Sequence, residues 1–233
     1  MPTTESSYPL SRERNAILAA LLILAALAWV VLLFQSSSSD GEMMGLTMGM
    51  DAPVFIAVWV VMMVAMMFPT AAPMILTFAR VQRGKRARQR LAVPTWIFVS
   101  AYLVVWTLFG TVAYGGAVAA QGLADRSMWL MDNAARIGGG VLVVAGLYQL
   151  SPLKRTCLTK CRTPMQFIMT SWRDGYGGAF RMGVQHGAYC LGCCWLLFVI
   201  LFPLGVMNVA AMAVLTALIF AEKSLPGGRE ISL

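Results

Sequence analysis

Long apolar runs separated by short polar stretches set the plan of this chain. Residues 16–34 form one unbroken apolar run, AILAALLILAALAWVVLLF. As a helix it is long enough to cross the hydrocarbon core of a bilayer, which takes about 20 residues. Further runs cover 53–79, 94–119 and 134–150. Residues 183–222 are too long for a single crossing, and Pro203 and Gly205 divide them into 183–202 and 206–222. The pattern predicts an all-α, polytopic transmembrane helical bundle of about six spans. Residues 1–15 are read as a polar tail, disordered or surface-bound, 16–223 as one transmembrane helical domain, and 224–233 as a C-terminal tail. The first span is expected to be a retained anchor rather than a cleaved leader. Its apolar run is longer than a usual leader core, and no small-x-small site closes it.

Composition fits this plan. The chain is 59% hydrophobic and 12% charged, about half the charge of a soluble domain. The net charge of +8 would suggest a nucleic-acid partner until the charges are placed. Arg80, Arg83, Lys85, Arg86, Arg88 and Arg90 lie between the second and third runs. Lys154, Arg155, Lys160, Arg162, Arg173 and Arg181 lie between the fourth and fifth. Asp40, Glu42, Asp51, Asp125 and Asp132 fall in the alternate connections. This is the positive-inside distribution, so no nucleic-acid partner is needed. An even span count puts both termini and both basic connections in the cytoplasm, in a bacterial cytoplasmic membrane. The connection 151–181 is expected to be the longest loop, and Glu222 and Lys223 to sit at the membrane interface.

The chemistry concentrates in sulfur. The stretch Met182-Gly-Val-Gln-His186-Gly-Ala-Tyr-Cys190-Leu-Gly-Cys193-Cys194-Trp195 holds the only histidine and three of the five cysteines. On a helix, Met182, His186, Cys190 and Cys193 fall within a stripe roughly 80° wide, with Cys194 beside it. Thioether, imidazole and thiolate are donors that Cu(I) and zinc accept. Met182 and Cys193 are roughly 16 Å apart along the axis, so one ion cannot reach all four, and further ligands must come from elsewhere. Cys157 and Cys161, another helix or a partner subunit are the sources. Packing of apolar thiols in a helix is the plainer alternative.

A second sulfur set, Met62, Met63, Met66 and Met67, lies in VWVVMMVAMMFPTAAPM. Methionine fills gaps, so such a stripe can be packing alone. Thioethers also suit Cu(I) and need no deprotonation. Pro69 and Pro73 free backbone carbonyls there, tolerated in a membrane where they face protein or a cavity. A third group, Met43, Met44, Met48 and Met50, stands in the acidic connection before the second run and could capture a soft cation outside. Cys157 and Cys161 have C-x3-C spacing among Lys154, Arg155, Lys160 and Arg162, surroundings that favour thiolate. No acid lies deep in any run, and there is no Walker A or HExxH motif, which disfavours a proton-coupled pump, an ATPase and a zinc peptidase.

VWVVMMVAMMFPTAAPM resembles the W-x-x-M-x-x-A-M-M-x-P-x-x-x-P signature of a bacterial family of predicted metal-binding integral membrane proteins. HGAYCLGCCWLLFVILFPLGVMNVAAMAVLTALIFAEKSLPGG resembles its C-terminal signature. The resemblance covers about residues 53–228. It implies membrane residence and a metal site, with His186, Cys190, Cys193, Cys194, Met62, Met63, Met66 and Met67 as the matching positions, and it implies no reaction. The expected function is binding and handling of a soft transition metal, copper before zinc, by a transporter, chaperone or assembly factor that is more a carrier than an enzyme. Its partners would be the lipid bilayer, the metal ion and a membrane or periplasmic protein. The expected order is outer methionine loop, methionine helix, then a tighter His/Cys site at the cytoplasmic start of the fifth span. The alternatives are a membrane thiol-disulfide oxidoreductase and a structural subunit of a membrane complex.

Overall fold

A computed structural model describes residues 8–38, 45–88 and 91–225; these form helices joined by short turns, with no strand among them. The long helices are α1 (Tyr8–Ser38), α2 (Ala52–Ala87), α3 (Thr95–Ala124) and α8 (Gly175–Val199). Shorter ones are α4 (Met128–Asp132), α5 (Ala134–Gln149), α6 (Pro152–Arg162), α7 (Pro164–Ser171), α9 (Leu201–Leu204) and α10 (Val209–Ser224). Met43 and Met44 lie outside the described residues.

Four stretches are long and apolar enough to cross a membrane: Arg12–Ser37, Ala52–Ala87, Thr95–Ala124 and Gly175–Leu204. The pair α5–α6, bent by 63° at its break, would make a fifth if it crosses as one span. The expected sixth span is α10, whose 16 residues fall short of a full crossing. The sequence reading also took 151–181 for a loop, whereas it folds into α6, α7 and the first turns of α8. Counting charge hides α6, because its Cys157 and Leu158 are buried while Arg155 and Lys160 stay outside. α1 likewise begins at Tyr8, inside the expected tail.

The basic segments gather at one end of the bundle. Arg83 donates to Glu13 at 2.7 Å, fastening the end of α2 to the start of α1. Lys85 pairs with Asp174, just before α8, and its ammonium sits 4.6 Å from the centre of the Trp172 ring. Gln82 Oε1 accepts from the Val93 N–H at 3.0 Å, closing the α2–α3 connection.

The core is built from α2, α3 and α8. α3 and α8 run parallel and touch through glycine. A Cβ on Gly183 would come 2.4 Å from the Phe98 carbonyl oxygen, and one on Gly187 2.9 Å from Val105. The spacing Gly183-x-x-x-Gly187 is the small-residue device by which apolar helices approach closely. Gly183→Ala is therefore expected to push α3 from α8 and cost about 1–3 kcal/mol. Thermal unfolding in detergent measures this, and an unchanged midpoint would show that the contact is soft.

Two aromatic layers cross the bundle. In the first, the Trp59 N–H donates to the Trp106 carbonyl at 3.0 Å, and both indoles pack on Phe109 and Phe198. In the second, Phe78 stacks on Phe98 at 4.8 Å, and Phe98 and Phe167 pack on His186. Met62 to Met67 lie between Trp59 and Phe78 on α2, while Cys190 to Cys194 lie between His186 and Phe198 on α8. Both sulfur sets thus occupy the same slab of the bundle.

Candidate metal centre

Every member of the predicted stripe faces inward: Met182, His186, Cys190, Cys193 and Cys194 are buried. α8 begins at Gly175, so the cysteines lie well along the helix rather than at its start. The expected placement at the cytoplasmic start of this span is thereby corrected. The periodicity located the face but not the helix N-terminus, because Gly175 to Arg181 read as part of a loop.

All five cysteines converge, and all are free thiols. Gly192 admits α6, since a Cβ there would meet Cys157 Sγ at 2.7 Å. The Cys161 thiol, one helical turn further on, interacts with Cys190 and Cys193. The thiols of Cys193 and Cys194 donate to the Cys190 carbonyl at 3.1 and 2.8 Å. Among the described residues no three His, Cys, Asp or Glu side chains already form a metal cage. Side-chain rotation away from the Cys190 carbonyl is what would free Cys193 and Cys194 as ligands.

Cys190 is the hub of the cluster. Its sulfur lies 3.1 Å from Tyr102 Oη and 3.1 Å from Lys223 Nζ. The Lys223 ammonium offers counter-charge to an anionic sulfur. His186 stacks on Tyr102 at 5.6 Å, and its buried Nδ1 has no hydrogen-bond partner among the described residues. A buried polar nitrogen left unpaired is costly, and a ring nitrogen in that state is an available donor to a ligand.

Lys223 reaches the cluster because α10 packs on α2 and α6, which brings its end to Cys190. Its end is held by Lys154, whose ammonium donates to Glu222 Oε1 at 2.7 Å and also to Gln149. Arg162 Nη1 donates to the Glu222 carbonyl at 2.6 Å. Glu222 is 2% exposed and Lys154 fully enclosed, so this acid is enclosed by protein, and the reading that the runs hold no buried acid is corrected. Adjacent charges at a span end look interfacial in a sequence; only the arrival of α6 encloses them.

Met62, Met63, Met66 and Met67 are fully buried in the same contiguous core as the cysteines. Thr70 Oγ1 donates to the Met67 carbonyl at 3.0 Å, with the Met67 sulfur 4.0 Å away. α2 and α8 both pack on α3, so the helices that carry the methionine and cysteine sets share that neighbour. Sequence reasoning missed Tyr102, which carries no local signal. It also missed the glycine spacing at 183–187, which was there to be read.

These features define a protein whose described residues are helical, with four membrane-length apolar helices, a cluster of four buried thiols and one half-buried thiol, and a buried thioether set in the same core. The chain belongs to the PpoB2 family, described as a copper chaperone, whose model matches residues 56–233. No curated protein and no solved structure matches the chain.

Proposed function

We propose that this chain is a membrane-resident carrier of Cu(I), with the ion as cargo rather than as a resident cofactor. His186, Cys190, Cys193 and Cys194 are the principal ligands, joined by Cys157 and Cys161 from α6. Met62, Met63, Met66 and Met67 form a thioether stage that passes the ion to the thiols. The observation that carries the reading is the convergence of all five cysteines from two helices, in a chain of a copper chaperone family. Copper is favoured over zinc because four of the ten proposed donors are thioethers, which suit Cu(I).

The shared slab shortens the expected path. The ion moves sideways between helices, from weaker thioether donors to stronger thiolates, rather than along the length of the bundle. Release then requires a partner membrane or periplasmic protein with a competing thiol or thioether site. The cytoplasmic placement of the basic end, in a bacterial cytoplasmic membrane, belongs to this proposal and follows from the charge distribution.

The test is elemental analysis of protein purified anaerobically in detergent, beside a His186→Ala, Cys190→Ser, Cys193→Ser variant. The wild type should hold about one copper per chain, lost in the variant, since ligand removal takes the affinity with it. No metal in either protein after loading with Cu(I) and zinc would sink the reading. A reversible disulfide between α6 and α8 found by thiol trapping would move it to thiol redox chemistry.

A further inference from the structure

At the end of the bundle opposite the basic segments, a half-open cavity of about 300 Å³ separates the turn at 45–50 from the break that ends α8. Its wall carries two methionines, Met48 from the turn and Met207 from the break, with Leu46, Gly205 and Asn208 around them. We infer that this cavity is a second binding site, a thioether-only site for a soft monovalent cation, with Met48 and Met207 as its donors. The inference rests on reading the chain as a Cu(I) carrier and names where the ion first meets it.

The one polar side chain of the wall is already engaged. Asn208 Nδ2 donates to the Leu204 carbonyl at 3.1 Å, and its Oδ1 accepts from the Ala211 N–H at 3.0 Å. The Leu46 N–H donates to Gln121 Oε1 at 3.4 Å. The side-chain donors left for a ligand are the two thioethers, weak acceptors toward hydrogen-bond donors but good ligands for Cu(I). The wall carries no carboxylate of the kind a hard cation prefers.

Both methionines stand at backbone turns of the wall. Met48 adopts φ +56°, a left-handed conformation uncommon for a non-glycine residue and a cause of local strain. The turn holds it there through Met48 N–H to the Gly45 carbonyl and Met50 N–H to the Thr47 carbonyl, both at 3.1 Å. Tyr114 Oη anchors the turn from α3, donating to the Met50 carbonyl at 3.4 Å. On the other wall, Gly205 takes φ +93° at the break, and Met207 lines the cavity two residues on. Met207 belongs to the same buried core as Met62 to Met67, and Met48 and Met50 pack against that core.

Ag(I) is the probe, a soft monovalent ion that does not change oxidation state. Binding would be measured by calorimetry in thiol-free buffer on the full chain and on a variant with all five cysteines changed to serine. A Met48→Leu, Met207→Leu double change, conserving volume, would be made in both. Met128→Leu with Met131→Leu, exposed methionines on α4 at the same end of the bundle, serves as control. Loss of one silver equivalent in both backgrounds, with none lost in the control, is expected. Unchanged stoichiometry in the double variant would overturn the cavity site. If the full chain and the cysteine-free chain bind equally and both lose one equivalent, the cavity site stands and the cysteine reading fails instead. Circular dichroism confirms that each variant keeps its helices.

Discussion

Serine at Cys190 is expected to lower Cu(I) affinity by at least about a hundredfold, close to 2.7 kcal/mol, while serine at Cys157 costs less than about tenfold. The difference follows from position. Cys190 Sγ is the sulfur that Tyr102 and Lys223 approach, each at 3.1 Å. Serine would leave these groups arranged around a hard oxygen that Cu(I) does not favour. Cys157 instead lies over Gly192, at the edge of the group. Competition against a chromogenic Cu(I) chelator, run anaerobically, gives both affinities. Equal losses at the two positions would mean that the ligands are interchangeable and that Cys190 has no special place.

The second large effect is expected at the buried ion pair. Glu222→Gln leaves the Lys154 ammonium enclosed without its carboxylate, and breaking a buried pair on one side costs about 3–5 kcal/mol. In a chain of this size that corresponds to a fall in Tm of roughly 10 °C. Lys154→Met combined with Glu222→Leu removes both charges, and such replacements are often neutral, so the double variant should recover most of the loss. Thermal unfolding in detergent separates the cases. Equal destabilisation by the single and double variants would show that the pair's hydrogen bonds, and not its charge, hold α10 in place. The single variant should also weaken Cu(I) binding, because Lys223 is carried on the end that Glu222 fastens.

Much of this molecule was legible in the sequence. The apolar runs marked α2, α3, α5 and α8 to within a few residues at most ends, because a helix in lipid must be apolar for its whole crossing. The inward face of α8 was legible too, since sulfur and imidazole recur there at helical spacing. The region 151–181 was not legible as structure. Its helices pack by burying a few residues of an otherwise charged sequence, and charge density alone reads as a loop. The same blindness hid the meeting of Cys161 with Cys190, and that of Lys154 with Glu222, because each pair is joined only by tertiary packing of α6. Tyr102 could not have been picked out at all, being one aromatic in an apolar helix with several.

X-ray absorption at the copper edge, on the anaerobically Cu(I)-loaded full chain, addresses the cysteine cluster most directly. A low-coordinate shell dominated by sulfur, shifting to a weaker thioether shell when Cys190 and Cys193 are serine, is the outcome expected of a thiol-held ion. A shell of nitrogen and oxygen, or a sulfur shell that those changes leave untouched, would place the copper elsewhere and refute the assignment.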